Sequence, residues 1–254
     1  TEGRKLADLL ALSNKVLQVG YYYRFHPVCQ SLKTLIDSGK LGDIRYISGN
    51  FMGFKRARTD VGVTHTDGIH FIDLFNWFAA KPPRQVYAMV RDHFERGMED
   101  MSIILLDYPD GSLAKVESGY IQPGKWKDKV VPNAFTSKEF YVCGSLATAE
   151  IDLETESLTI HDIHQEFLNK TWTPVIKGIN VPVLSTATPV QMIAAELKDF
   201  LDCVNTRQQP SANVVSSGLV LARVMEAVYK SALKSMPVPL SWNTKEQESM
   251  VKKP

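Results

Sequence analysis

Five strand-like segments follow one another between Arg84 and Leu153 with no helix between them. They are "RQVYAMVRD", "DMSIILLDY", "SLAKVESGY", "KEFYVCG" and "TAEIDL", and "IRYISGNFM" precedes them. Each is short, rich in β-branched and aromatic residues and bounded by turn formers. Strands in direct succession lack the crossover helices that parallel strands need, which predicts a mainly antiparallel sheet. The "PDG" between the second and third segments predicts a tight hairpin turn. In "SLAKVESGY", Ala114, Val116 and Tyr120 fall on one face, and Leu113, Lys115 and Glu117 on the other. That alternation predicts one packed face and one that is exposed or used for contact.

Helical periodicity flanks this block. "EGRKLADLLALSNK" predicts a helix with Leu6, Leu9 and Leu10 on one side, and "VLQVGYYY" a buried strand. A helix feeding a strand is the last unit of a doubly wound sheet. Val28, Leu32, Leu35 and Ile36 predict an amphipathic helix ended by Gly39. Towards the other end, Val190, Ile193, Ala194, Leu197, Phe200, Leu201 and Val204 predict four helical turns starting at Pro189. Leu221, Val224, Met225, Val228 and Ala232 predict another helix; residues 163–188 read as irregular.

Composition removes several function classes. The formal net charge is +1 with no basic block, which argues against nucleic acid and anionic membrane as partners. No apolar run approaches the roughly 20 residues that span a bilayer. Cys29, Cys143 and Cys203 are far apart and odd in number, so they suit neither a disulfide framework nor a zinc site. The start, "TEGRKLADLL", lacks the apolar core of a secretory signal. A cytoplasmic location is expected from these features.

The 15 glycines include no G-x-G, so the chain shows no dinucleotide fingerprint of its own. "GYIQPGKW" approaches a P-loop, but Trp126 stands where a Ser or Thr must hold magnesium. The densest chemistry lies in "VTHTDGIHFIDL", Val63 to Leu74. Thr66 or Asp67 suits a helix N-cap, and the run to Ala79 is apolar nearly all round, as in a buried helix. Three readings fit. His70 is a buried histidine satisfied by Asp73 or by backbone; His65, Asp67, His70 and Asp73 hold a metal; or His70, kept neutral by the positive end of the helix dipole, takes a proton from a substrate hydroxyl.

Several segments together resemble the glucose–fructose oxidoreductase and inositol dehydrogenase family, written Gfo/Idh/MocA. "VLQVGYYYRFHP" resembles its last Rossmann strand and junction, with Arg24 and Pro27. "LKTLIDSGKLGDIRYI" resembles the following helix and first sheet strand, and "DVGVTHTDGIHFIDL" the D-x-G-x-H-x-x-D-L segment. "EDMSIILLDYPDGSLAKV" and "SGLVLARVMEAVYKSALKSMPVPL" also match in order. The resemblance implies an α/β (α+β) fold: an open, mainly antiparallel sheet with helices on one face, preceded by the last helix–strand unit of a Rossmann domain. It divides the chain into a dinucleotide-domain remnant (1–24), a substrate-binding and oligomerisation domain (25–242) and a polar tail (243–254).

The resemblance also implies NAD(P)-dependent hydride transfer at a hydroxyl-bearing carbon of a sugar or cyclitol, with NAD or NADP held mainly by residues upstream of Thr1. The chain by itself is then incomplete and inactive. The family's histidine falls on His70 and its usual aspartate on Thr66, which cannot act as a carboxylate; Asp67 lies one position later. His70 and Asp67 are the expected catalytic pair, with His70 carrying the larger share. Thr66, Asp73, Arg24, Lys125 and Trp126 are the expected substrate contacts, and Arg24 also suits a structural role at the domain junction. The basic loops "FKRARTD" and "PGKWKDK", with Lys55, Arg56, Arg58, Lys125, Lys127 and Lys129, suggest an anionic sugar. A homodimer or homotetramer through the sheet is expected. A non-catalytic module of the same fold and a metal-dependent hydrolase are the alternatives.

Overall fold

The computed structural model describes residues 2–13, 15–212 and 217–243. A ten-stranded sheet dominates it. In chain order the strands are β1 (Ile44–Phe54), β2 (Gln85–Arg91), β3 (Met101–Asp107), β4 (Leu113–Gly119), β5 (Trp126–Lys127), β6 (Phe135–Gly144), β7 (Thr148–Asp152), β8 (Ser157–Leu168), β9 (Thr171–Asn180) and β10 (Val238–Pro239). Their spatial order is β10-β2-β3-β4-β1-β6-β7-β8-β9, with β5 paired to β6. All neighbours are antiparallel except β1 and β4, as the uninterrupted run of strands predicts. Gly111, at φ 86°, makes the hairpin turn between β3 and β4 in the left-handed region that glycine adopts without strain.

The helices among the described residues are α1 (Glu2–Ala11), α2 (Pro27–Asp37), α3 (Ile69–Ala79), α4 (Pro189–Thr206) and α5 (Leu219–Lys234). Of these, α2, α3 and α5 cover one face of the sheet, α1 packs on α5 and α4 packs on the 3₁₀ turn Tyr22–Phe25. The inward residues of the sheet, among them Ile47, Ile104, Val116, Phe140 and Ile151, meet Phe71, Phe75 and Phe78 of α3 and Val224 and Val228 of α5 in one core. Contact is closest at Gly49, where a Cβ would meet Phe140 Cβ at 2.6 Å and Phe75 Cζ at 2.9 Å. That glycine lets α3 lie directly on β1. The opposite face of the sheet is bare, and Leu105, Leu113, Tyr46 and Tyr141 are exposed there. The alternation expected in β4 holds: Ala114, Val116 and Tyr120 are buried and Leu113 is half exposed.

Two expectations fail. "VLQVGYYY" is not a strand. Gln18 forms an isolated bridge and Tyr22–Phe25 a 3₁₀ turn, while Val19 N–H donates to the Ala212 carbonyl. A buried strand needs neighbours along both edges, and the described residues supply only this bridge. Residues 163–188 are not irregular throughout, because β8 and β9 pair from Ile160 to Asn180 as a long hairpin. Its exposed Phe167, Trp172, Ile176 and Ile179 lack the inward–outward alternation that marks a half-buried strand. The polar tail beyond Asn243 lies outside the described residues.

Candidate active site

The segment from Val63 to Leu74 begins with a π turn, Thr64–Gly68, and continues directly into α3. A π turn takes one residue more than an α turn and recurs at functional sites. Thr66 and Asp67 are therefore inside a helical turn and not its caps. The Glu99 carboxylate accepts from Thr64 N–H at 3.2 Å at this terminus, and from the Tyr229 hydroxyl at 2.7 Å.

The turn sends its polar side chains to different partners. The Thr66 hydroxyl meets the Tyr120 hydroxyl at 2.7 Å, and His65 Nδ1 meets the Tyr229 hydroxyl at 2.7 Å. Asp67 Oδ1 accepts from Lys55 Nζ at 2.5 Å. One turn on, Asp73 receives Arg24 Nε at 2.8 Å and Nη2 at 2.5 Å, a buried bidentate pair. Arg24 also donates to the Ser217 hydroxyl. Among the described residues no group of three His, Cys, Asp or Glu side chains converges as a metal site would require, and His65, Asp67 and Asp73 each have a different partner.

Three polar atoms of this segment are sealed from solvent without a hydrogen-bond partner: Thr64 Oγ1, Asp67 Oδ2 and His70 Nδ1. Asp73 therefore does not satisfy His70, contrary to one sequence reading. The His70 ring lies edge-on to Tyr22 and Tyr23, with centroids 5.5 and 5.2 Å away. Part of the residue remains accessible although Nδ1 is sealed. Burial lowers the His70 pKa to about 4, helped by the positive charges of Lys55 and Lys138. The imidazole is neutral, as expected, but the cause is desolvation and two lysines. The helix dipole is not needed, because the helical run already starts at Thr64. Burial raises Asp67 to about 6 despite Lys55. Burial thus acts on the two in opposite senses, holding a proton on Asp67 and keeping one off His70.

A charge network that the sequence reading did not single out lies beside this pair. Lys138, on β6, reaches Asp128 at 3.0 Å and also pairs with Glu154. Thr136 Oγ1 donates to both carboxylates, and the backbone N–H groups of Val130 and Val131 donate to Asp128. Burial works against the Lys138 ammonium, yet Glu154 and Asp128 outweigh it and raise its pKa. The signal was present in the sequence. Lys138 alternates with Thr136, Phe140 and Val142, so a lysine occupies an inward position of a sheet strand.

Lys125 and Trp126 are not brought to His70. Both are exposed, and they bond Glu139 and Asp152, which sit opposite each other on the outer side of the sheet. The basic loops are also largely neutralised: Lys55 pairs with Asp67, Arg58 with Asp60, Lys125 with Glu139 and Lys129 with Glu156. Four of the six basic side chains that suggested an anionic sugar thus already have a carboxylate partner.

The described residues form no glycine-rich turn between a strand and a helix of the kind that cradles a pyrophosphate. The described residues therefore do not fit a nicotinamide dinucleotide as its main holder. What the site can do is accept hydrogen bonds from a hydroxyl and take its proton.

Residues 29–150 match the family model of the GFO/IDH/MocA C-terminal domain. Over 235 residues the chain is 23% identical to D-xylose 1-dehydrogenase (NADP(+)) 2 of Haloferax volcanii, which covers 88% of this chain. The chain spans 64% of the length of that curated relative. Among solved structures, levoglucosan dehydrogenase in complex with NADH and levoglucosan superposes with a TM-score of 0.76 at 16% identity, over 95% of this chain and 71% of that one. The UDP-N-acetylglucosamine 3-dehydrogenase of Acidithiobacillus ferrooxidans superposes with a TM-score of 0.71 at 20% identity, over 91% and 67%. These likenesses share the open sheet backed by helices.

Proposed function

The chain belongs to the Gfo/Idh/MocA family, and from that premise we propose that it is the substrate-binding and oligomerisation part of an NAD(P)-dependent oxidoreductase acting at a hydroxyl-bearing carbon of a sugar or cyclitol. One observation carries the reading: Asp67 Oδ2 and His70 Nδ1 are buried polar atoms without partners, three residues apart on one helical segment. Leaving such atoms unpaired costs about 1–3 kcal/mol each, so a ligand hydroxyl that satisfies them binds favourably. With its proton on Nδ1, the neutral His70 donates to the oxygen of a substrate hydroxyl while Asp67 Oδ2 accepts from that hydroxyl. Asp67 is the base of the pair, and Lys55 keeps it ionised near neutral pH. The substrate hydroxyl donates to Asp67 Oδ2 and gives up its proton there. The cofactor, NAD or NADP, supplies the hydride acceptor and is held by residues outside this chain.

The test is an assay of the chain joined to a dinucleotide-binding partner domain, with NAD+ or NADP+ and a panel of neutral aldoses and cyclitols. Turnover is expected, with Asp67→Asn lowering kcat about a hundred- to ten-thousand-fold. His70→Ala is expected to cost less in kcat and more in KM. Turnover that survives Asp67→Asn within about tenfold would refute the assignment. A homodimer or homotetramer belongs to the same proposal, supported by the uncovered apolar residues of the sheet.

A further inference from the structure

A cleft of about 590 Å³ opens beside Lys55. It is lined by Phe54, Lys55, His93, Phe94, Tyr120 and Ile121. Phe54 and Phe94 are about half exposed, at 52% and 51%, which is unusual for two phenylalanines flanking one space. Two of the lining residues also touch the candidate site. Lys55 donates to Asp67 at 2.5 Å, and the Tyr120 hydroxyl meets Thr66 at 2.7 Å. The cleft therefore adjoins the candidate site, with Lys55 and Tyr120 common to both. Its lysine is already matched by a carboxylate, so the lining offers aromatic surface without an unpaired lysine or carboxylate.

On the reading that Asp67 and His70 receive a substrate hydroxyl, the geometry points to a two-part substrate: a sugar ring carrying an uncharged, apolar or aryl substituent, with Phe54 and Phe94 determining specificity for that substituent. The volume lies within the range of about 300–1,000 Å³ that small-molecule sites occupy. A single sugar ring engaging Asp67 stands at the Lys55 end and leaves the aromatic walls free. A flat substituent on that ring meets them and removes apolar surface from water. A charged substituent would instead lose hydration against these aromatic walls.

The experiment titrates this chain with methyl and 4-nitrophenyl glycosides of glucose, galactose and xylose, and with 4-nitrophenyl glucuronide. NMR shifts of the His70 ring report occupancy at the inner pair. For the sugar that binds, the nitrophenyl glycoside is expected to bind at least about tenfold more tightly than the methyl glycoside. Phe54→Ala/Phe94→Ala should remove that gain and leave methyl glycoside binding unchanged; both side chains are exposed enough for the variant to fold. The glucuronide should bind no more tightly than the glucoside. Methyl glycoside binding with no nitrophenyl gain, a gain that survives the double variant, or preference for the glucuronide would each overturn the substrate inference alone. Absence of any His70 response to every glycoside would overturn the reading of the inner pair as well.

Discussion

Arg24 and Asp73, 49 residues apart in sequence, form a bidentate ion pair that is almost wholly buried, at 4% and 1% exposure. The pair fastens the 3₁₀ turn Tyr22–Phe25 to α3, and Ser217 joins it from the start of α5. Burial raises the pKa of Asp73, while Arg24 opposes the shift. Arg24 and Asp73 were expected among the substrate contacts; here each occupies the other, and the pair holds three elements together. Asp73→Leu should destabilise the chain by about 3–5 kcal/mol, since it leaves a buried guanidinium unpaired. Arg24→Met/Asp73→Leu should recover part of that loss. Urea unfolding of the three proteins checks this, and a single variant as stable as wild type would show the pair to be unimportant.

Much of this was legible in the sequence for a physical reason. A sheet with one packed face writes a period of two into its strands, and β2, β3, β4, β6 and β7 all show it. The α3 run was readable because Phe71, Phe75 and Phe78 leave it no exposed face of its own. What was hidden depended on long-range geometry. Nothing local in "VTHTDG" tells a π turn from an N-cap, and the partner that settles it, Glu99, is 35 residues away from Thr64. The Asp67–Lys55 and Lys138–Glu154 pairs likewise join different elements. Basic loops looked like an anion site because a sequence displays lysines without the carboxylates that neutralise them.

Lys55 sets the protonation state of the site. Its ammonium stands 2.5 Å from Asp67 and opposes the desolvation that raises the Asp67 pKa. It also adds to the desolvation that lowers His70. Lys55→Met should therefore raise both values, Asp67 above about 6 and His70 above about 4. Side-chain NMR titration of the two groups is the check. An unchanged Asp67 would mean that Lys55 does not touch it in solution.

His26 offers a separate pH test away from the site. It is 2% exposed and its Nδ1 accepts from Val28 N–H at 3.2 Å, capping α2. Burial lowers its pKa from 6.5 to about 4. The folded state then binds fewer protons than the unfolded chain between those values, so the contribution of His26 to stability is full above pH 6.5 and is lost as the pH falls towards 4. His26→Asn keeps a capping acceptor and cannot titrate. The stability difference between wild type and variant should therefore move by on the order of 2 kcal/mol in favour of the variant from pH 7 to pH 4. Parallel denaturation curves at the two pH values would contradict the assignment.

The bare face of the sheet makes the last prediction. Tyr46 and Leu113 sit opposite each other on β1 and β4, and Leu105 is opposite Lys115 on the adjoining pair. With Met89 and Tyr141 these residues are 37–50% exposed on one continuous surface. Neighbouring Lys115 pairs with Glu117, and Glu150 with His161, so the surface carries charges of both signs around its apolar centre. A surface of that pattern suits a second copy, because a two-fold axis sets the same apolar residues against each other. Sedimentation of the chain at micromolar concentration should show a dimer or tetramer. Leu105→Glu/Leu113→Glu should yield a monomer with unchanged unfolding cooperativity, because both side chains point away from the core. A wild-type chain that sediments as a monomer at low and moderate salt would rule out this face as the interface.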